Sequence, residues 1–489
     1  MLDNALFHPR SPGTPLQSWI RQSLVNAILD GKLQQGQRMP ATRHLAKSLS
    51  VGRNTVTAAY EELVSQGYLE SRERMGFFVG AVEPTPVATV ETVPQTGGVS
   101  WRKHLKFMPS EMRHIEKPWD WQDFRYPFVY GQVDRNLFPV DQWRACSRDA
   151  LGRSAIDYWA SDRALDDDPL LVEQLCRHVL PQRGIFARRD EVMVTLGSQH
   201  GIYLLAKLLL NPGDGVGVED PGYPDARNIF RAHGADLRRL PVDDDGLVLD
   251  GDTDALLKGA GLVFVTPAHH CPTMVTMSDT RRRALLDMAE REDFLILEDD
   301  YEGEVRSAKT PPALKSIDQN GRVIYIGTMS KVLAPGVRIG YVVAPAPLIA
   351  EARAMRRLMH RSAPLNNQRT AAILLANGHY AGMVRAVREA LSERWREAVA
   401  AVRRELPEFR LSPSIGGSSL WLECPPWLKA EDLIEAAAAR GVLVERGDPF
   451  VRADQSGRYF RLGLSAIDAK LIANGVAEIA AAARSLRTH

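Results

Sequence analysis

Lys331 lies among two hydroxyl residues and an arginine. The stretch Gly327-Thr328-Met329-Ser330-Lys331, continuing to Arg338-Ile339-Gly340, follows the apolar run Val323-Ile324-Tyr325-Ile326. A lysine amine becomes a nucleophile only when it loses its proton, which desolvation or nearby cations bring about. Neutral, it condenses with an aldehyde. The hydroxyls of Thr328 and Ser330 and the guanidinium of Arg338 are phosphate donors. An amine for an aldehyde beside donors for a phosphate is the set that holds pyridoxal 5′-phosphate. A Ser-Lys pair alone is weak, because most lysines are solvated surface charges. The reading therefore depends on what else the chain carries.

Three further stretches bear on it. Leu196-Gly197-Ser198-Gln199 reads as a strand-to-helix turn, where free backbone N–H groups and the helix dipole favour a phosphate, with Ser198 and Gln199 adding donors. It also reads as an ordinary turn. Asp220-Pro221-Gly222-Tyr223 presents a ring that can stack on a pyridine or plug a sheet edge. Glu298-Asp299-Asp300-Tyr301 closes an apolar run with three acids and a phenol. A carboxylate beside the pyridine nitrogen keeps it protonated and makes the ring an electron sink, while a phenol can bond the ring's 3-oxygen. A solvated loop is the other reading, but ligands of α/β sheets bind at the carboxyl ends of strands.

The elements that must position these groups are legible from periodicity. Glu191–Thr195, Val216–Glu219, Leu262–Thr266, Phe294–Leu297, Val323–Ile326 and Gly340–Val343 read as short strands. Helical stretches such as Gln199–Leu210 and Arg281–Glu290 separate them. That alternation predicts an α/β domain with a mostly parallel central sheet. A long charged helix over Ala381–Leu406 and strands at Ser419–Glu423 and Tyr459–Leu464 predict a smaller α+β C-terminal subdomain.

The chain has 489 residues, which predicts two or three domains. A formal charge of +1 and an apolar content of 45% fit a globular protein and name no partner. Cys146, Cys176, Cys271 and Cys424 are far apart without a C-x-x-C pair, which argues against a disulfide framework or a zinc site. No run approaches the roughly 18 apolar residues of a membrane span. No basic segment followed by an apolar one opens the chain, so a cytoplasmic protein is expected.

Residues 1–80 are mildly basic and helix-rich. Leu16, Ile20, Leu24 and Ile28 recur at helical spacing, Thr42 is placed to cap a short helix running to Leu49, and Asn54–Gln66 follows after a Gly-containing turn. Helix, turn and helix form a helix-turn-helix. Arg53, Asn54, Thr55 and Thr57 open the second helix with groups able to reach base edges and phosphates. Tyr68–Val79 reads as a two-stranded wing with arginines at its tip, Arg72 among them. A protein-binding helical bundle with solvated arginines fits the same pattern. Residues 81–100 fill with Pro, Thr, Val and Gly, a linker composition that the domain reading extends over 81–118, leaving 119–489 as the second domain.

Residues 15–80 resemble a winged-helix domain of the GntR family, through Gly31-Lys32-Leu33, Gly36, Met39-Pro40-Ala41-Thr42-Arg43, Leu45-Ala46, Val51, Arg53, Thr55-Val56, Ala59-Tyr60, Leu63 and Gly67-Tyr68-Leu69. The resemblance implies DNA contacts at Arg43, Arg53, Asn54 and Thr55. From about residue 120 to 485 the ordered motifs Gly197-Ser198-Gln199, Asp220-Pro221-Gly222-Tyr223, Thr266-Pro267-Ala268-His269, Glu298-Asp299-Asp300-Tyr301 and Ser330-Lys331 with Pro335-Gly336-Val337-Arg338 resemble a fold-type-I aminotransferase domain. The two together resemble the MocR/GabR family of transcription regulators dependent on pyridoxal phosphate.

That resemblance implies a Schiff base at Lys331, Asp299 at the pyridine nitrogen with Asp300 in reserve, Tyr301 at the 3-oxygen and Tyr223 stacking. Phosphate falls to Ser198, Gln199, Ser330 and Arg338, and an effector carboxylate to Arg461. It implies a homodimer that binds promoter DNA and senses an amino acid or amine as an external aldimine at Lys331. The alternative is a working aminotransferase carrying a DNA module. The chain departs from the family's S-H-Q-x-P-T-G at Ala268-His269-His270-Cys271-Pro272-Thr273-Met274, where a reshaped effector pocket, with His270 as a candidate contact, or altered polar contacts near the cofactor are the two readings. The adjacent histidines and cysteine do not suit one metal ion, because consecutive residues rarely ligate with good geometry. Pro224-Asp225 stands where some relatives carry a basic residue, making Arg227 the substitute candidate for a second anion contact.

Overall fold

The structure is a computed structural model that describes residue 7 and residues 9–11, 13–81, 99–162, 166–305 and 311–487. Residues 82–98, most of the Pro- and Thr-rich stretch 81–100, lie outside the described residues. The chain divides into two compact units, Met1–His104 and Leu105–His489.

The first unit packs helices α1 (Leu16–Leu29), α2 (Thr42–Ser48) and α3 (Arg53–Ser65) beside strands β1 (Leu69–Arg72) and β2 (Gly76–Val79). Its core is Ile20, Leu24, Ile28, Leu45, Val56, Tyr60 and Leu63, the apolar stripes of the three helices. Tyr60 is buried whole, and its hydroxyl donates to the Pro40 carbonyl at 3.2 Å, fixing α3 to the turn before α2. The wing is antiparallel, with Leu69 opposite Val79 and Arg72 opposite Gly76. Thr42 is not the cap expected of it. Ala41 holds the cap position with no side-chain bond, and Thr42 is already helical.

In the second unit the strands run β3 (Tyr126–Pro127), β4 (Val192–Thr195), β5 (Gly215–Asp220), β6 (Asp236–Asp243), β7 (Gly246–Leu247), β8 (Ala260–Val265), β9 (Leu295–Asp300), β10 (Val323–Thr328), β11 (Gly340–Val343), β12 (Arg410–Leu411), β13 (Ser419–Glu423), β14 (Val442–Leu443), β15 (Glu445–Arg446) and β16 (Tyr459–Gly463). Eight of them form one sheet in the order β4-β11-β10-β9-β8-β5-β6-β7. The central pairs are parallel, and β11 and β7 run antiparallel to their neighbours. Leu262, Val263, Ile296, Leu297, Ile324 and Ile326 are fully buried, as a sheet covered by helices on both faces requires. β6 escapes the sequence reading because Asp236-Leu237-Arg238-Arg239-Leu240-Pro241 is polar and half exposed, lying near the sheet's edge.

A second, antiparallel sheet, β12-β13-β16-β15, packs with helices His379–Glu405 and Ala469–Arg487. β3 pairs in parallel with β14, and Gly463 N–H donates to the Phe128 carbonyl at 3.0 Å. These bonds tie residues 126–131 to the smaller subdomain and bring Tyr130 to the end of the main sheet.

Candidate functional site

Neighbouring strand ends gather the candidate residues. β10 ends at Thr328 and turns directly into Ser330 and Lys331, while β9 beside it ends at Asp300, with Ile326 opposite Asp299. Successive side chains on a strand point to opposite faces, so the two aspartates part. Asp300 is held away from the cleft. Arg183 Nε donates to its Oδ2 at 2.6 Å and the Tyr325 hydroxyl at 3.0 Å. Asp299 faces the cleft, buried, and its Oδ1 has no hydrogen-bond partner.

A cavity of about 270 Å³ is lined by Ser198, Gln199, Tyr223, Asp299, Tyr301, Thr328, Ser330, Lys331, Arg338 and Arg461, together with Ile115, Lys117, Tyr130 and Cys271. At one end helix Ser198–Leu209 begins without a side-chain cap, leaving its first N–H groups to a ligand or water. Gly197 precedes it at φ 91°, a conformation open to glycine. The Arg338 guanidinium donates to the Leu196 carbonyl and lies 3.2 Å from where a Cβ on Gly197 would stand. Thr328 Oγ1 donates to Ser330 Oγ at 3.1 Å and accepts from Ser330 N–H at 3.2 Å, orienting that hydroxyl.

At the other end Lys331 Nζ lies 4.2 Å from the Tyr130 ring centroid, and Arg461 Cζ lies 4.1 Å from the same centroid. Burial lowers the Lys331 pKa and the Arg461 charge adds to this, against the pull of Glu302 and Asp299. The amine is thus made easier to deprotonate. Burial pushes the Asp299 carboxyl up to about 7, with the Asp300 charge adding and Lys331 opposing. The Tyr301 phenol is held well above its ordinary pKa by burial, and it donates to Met274 Sδ at 3.7 Å. Met274 has φ 64°, which accounts for glycine in the related motif. Its Cε occupies the space a Cβ on Gly417 would need.

Two sequence candidates do not reach the cavity. His270 Nδ1 meets Thr273 Oγ1 at 2.6 Å, and burial lowers its ring to about 3, so it is neutral. Cys271 lines the cavity instead. Arg227 donates to the carbonyls of Pro449 and Phe450 and lies 3.8 Å from Asp220, clamping a loop. Several residues were not singled out by the sequence. Tyr130 lies between Lys331 and Arg461, and its hydroxyl donates to Glu302 Oε1 at 3.2 Å. Glu302 also meets His269 Nδ1 at 3.0 Å. Glu445 faces Arg461, and Lys117 enters the cavity. Glu302 directly follows the Glu298–Tyr301 motif and was within reach of a sequence reading, whereas Tyr130, Glu445 and Lys117 come from distant segments and have no local signal. Among the described residues no group of three or more His, Cys, Asp or Glu is placed to hold a metal, and no helix is long and apolar enough to cross a membrane.

In the first unit Arg43, Arg53 and Asn54 are exposed, while Thr55 and Thr57 are half-buried at the start of α3. Arg72 closes the turn at the wing's end, opposite Gly76. It lies over the Phe78 ring at 4.4 Å and bonds Glu70 at 3.2 Å, and Arg74, at φ 57°, occupies the turn.

The family description "Bacterial regulatory proteins, gntR family" matches residues 16–79, and "Aminotransferase class I and II" matches residues 165–479. The HTH-type transcriptional regulator TauR of Rhodobacter capsulatus is 42% identical over 96% of this chain and 96% of its own. The chain belongs to the MocR/GabR family of transcriptional regulators. The probable rhizopine catabolism regulatory protein MocR of Rhizobium meliloti is a further relative, 31% identical over 98% of this chain and 96% of its own. The second unit has the fold-type-I aminotransferase fold. It superposes on the kynurenine aminotransferase of Pyrococcus horikoshii with a TM-score of 0.68 and 26% identity, over 80% of this chain and 95% of that one.

Proposed function

We propose that this regulator binds promoter DNA through α2, α3 and the wing, holds pyridoxal phosphate at Lys331, and responds to an amino acid or related amine. The observation that carries the reading is the buried Oδ1 of Asp299, without a partner and facing the same cavity as Lys331. A protonated ring nitrogen satisfies that oxygen and removes the penalty of a lone buried carboxylate. The other residues fit the same ligand. The open N-terminus of helix Ser198–Leu209, Ser198, Gln199, Ser330 and Arg338 suit the phosphate, Tyr301 the ring's 3-oxygen, and Tyr223 its face.

When bound, pyridoxal phosphate supplies an aldehyde that condenses with primary amines and a ring that withdraws electrons. The chain's own residues do the rest. Desolvation favours the neutral Lys331 amine, and the Tyr130 ring packs beside it. Asp299 keeps a proton at the ring nitrogen. Thr328 fixes the Ser330 hydroxyl, and the uncapped N–H groups at the start of helix Ser198–Leu209 suit a phosphate without a reorganising side chain.

A homodimer brings two readers to one operator and makes the second contact intramolecular. The test follows cofactor absorbance and promoter binding in one sample during titration with amines. Both should change over the same concentration range. An absorbance change that leaves DNA binding untouched removes the sensing role, and sustained turnover with an amino donor and a keto acid supports the aminotransferase alternative.

A further inference from the structure

Lys117 belongs to the segment that precedes β3, outside the stretch matched by the aminotransferase family description. Its side chain enters the cavity beside Lys331. The Nζ atoms of Lys117 and Lys331 each come within 3.1 Å of the place a Cβ on Gly131 would occupy, so the two amines are no farther apart than twice that distance. Lys117 Nζ donates to the Tyr130 carbonyl, which uses one of its three protons. Among the described residues no carboxylate stands within ion-pair distance of it. Arg461, the other cation at this end, donates Nε to Glu445 Oε2 at 2.7 Å, and its Nη2 lies 2.6 Å from the same oxygen without a hydrogen bond of its own. Glu445 therefore pairs directly with Arg461 and acts on Lys117 only from farther away, so Lys117 is the cation at this end without a carboxylate of its own.

The segment carrying Lys117 is held by a few contacts. Asn228 Nδ2 donates to the Arg113 carbonyl at 2.8 Å, and Ile115 packs on the cluster of Cys271, Trp421 and Phe450. Its other side borders a second cavity of about 670 Å³, so it has room to adjust to what lies beneath it.

We propose that Lys117 binds the anionic end of a short amine effector. The proposal rests on the sensing role given above and adds the effector's chemistry to it. An amine that reaches the position of the Lys331 amine has its far end within a few ångströms of Lys117. A carboxylate or another compact anion there meets two free N–H donors of an ammonium group, with which it makes charge-assisted bonds, on a residue that remains partly open to solvent. Burial lowers Lys117 to about 8, with Lys331 and Arg461 adding and Glu445 opposing, so most of it stays charged at neutral pH.

The test uses the full-length, cofactor-loaded protein. It compares glycine, β-alanine and 4-aminobutyrate with n-alkylamines of matching length, binding being read as the change in cofactor absorbance. The parent should prefer at least one amino carboxylate to its alkylamine. Lys117→Met should weaken that amino carboxylate by about tenfold while moving the alkylamine little, and Lys117→Arg should restore the preference. Equal weakening of both ligands would show that Lys117 only supports the fold, and an undiminished preference in Lys117→Met would place the anion site elsewhere. Either result overturns the proposal, as does a parent without preference. A parent that answers none of these amines overturns the sensing role and this proposal with it.

Discussion

Arg461 and Glu445 stand opposite each other on the antiparallel strands β16 and β15, both almost wholly buried, with Arg461 Nε 2.7 Å from Glu445 Oε2. The arginine that the family resemblance assigns to an effector carboxylate already has a carboxylate beside it. An effector anion must share the guanidinium with Glu445, through Nη2, which has no hydrogen-bond partner, or find another cation.

Breaking this pair should be costly whichever partner is removed. Arg461→Ala leaves a buried carboxylate and Glu445→Gln leaves a buried guanidinium, each expected to lose about 3–5 kcal/mol. The double variant should lose less than the sum, because it removes both charges. Denaturant unfolding of the four proteins measures the coupling, and additive losses would show that the two residues act independently.

Asp299 and Asp300 should fail in opposite ways. Asp300→Asn weakens the bond to buried Arg183 and should lower stability with or without cofactor. Asp299→Asn removes a lone buried carboxylate, so the cofactor-free protein should hold its stability while cofactor affinity falls by tenfold or more. Thermal melts and absorbance titrations of both variants check this pair of outcomes.

The Asp299 carboxyl also sets a sign for pH dependence. Burial and Asp300 raise it from 3.8 to about 7, so the folded, cofactor-free chain holds this proton more tightly than the unfolded one. Its contribution is complete below about pH 4 and is lost as pH rises through 7. Between about pH 5 and 8, cofactor-free Asp299→Asn should lose less thermal stability than the parent. Parallel melting curves against pH for the two would remove the assignment.

Lys331→Ala should abolish the covalent link to pyridoxal phosphate and leave the fold intact. Borohydride reduction followed by mass spectrometry reads the link, and circular dichroism reads the fold. A reducible adduct surviving in the variant would move the attachment to another amine, Lys117 first among them.

Arg53→Ala should weaken binding to the native promoter by about tenfold or more, the scale of one lost base contact, and parent binding should fall as salt rises. Fluorescence anisotropy at two salt concentrations measures both. Arg72→Ala should act differently, because Arg72 lies on Phe78 and pairs with Glu70, so its loss loosens the wing.

What the sequence determined was what local order can encode. The strand before Lys331, the turn at Gly197, the acids ending β9 and the stripes of α1 and α3 repeat at two-residue or helical periods, and the structure shows those elements close to where the periods put them. Local order also misled in places. Thr42 has a capping side chain but sits one residue inside its helix, and His270 and Arg227 have reactive side chains but turn toward Thr273 and the 449–450 loop. Which aspartate faces the cavity depends on the phase of β9 relative to β10, and a single-residue slip would exchange them. Tyr130, Glu445 and Lys117 reach Lys331 only because β3 pairs with β14 and β15 with β16, joining residues far apart in the chain. Those pairings depend on backbone bonds and shared burial between distant segments, which no single stretch of sequence specifies, so the charge around the cavity was settled by tertiary structure alone.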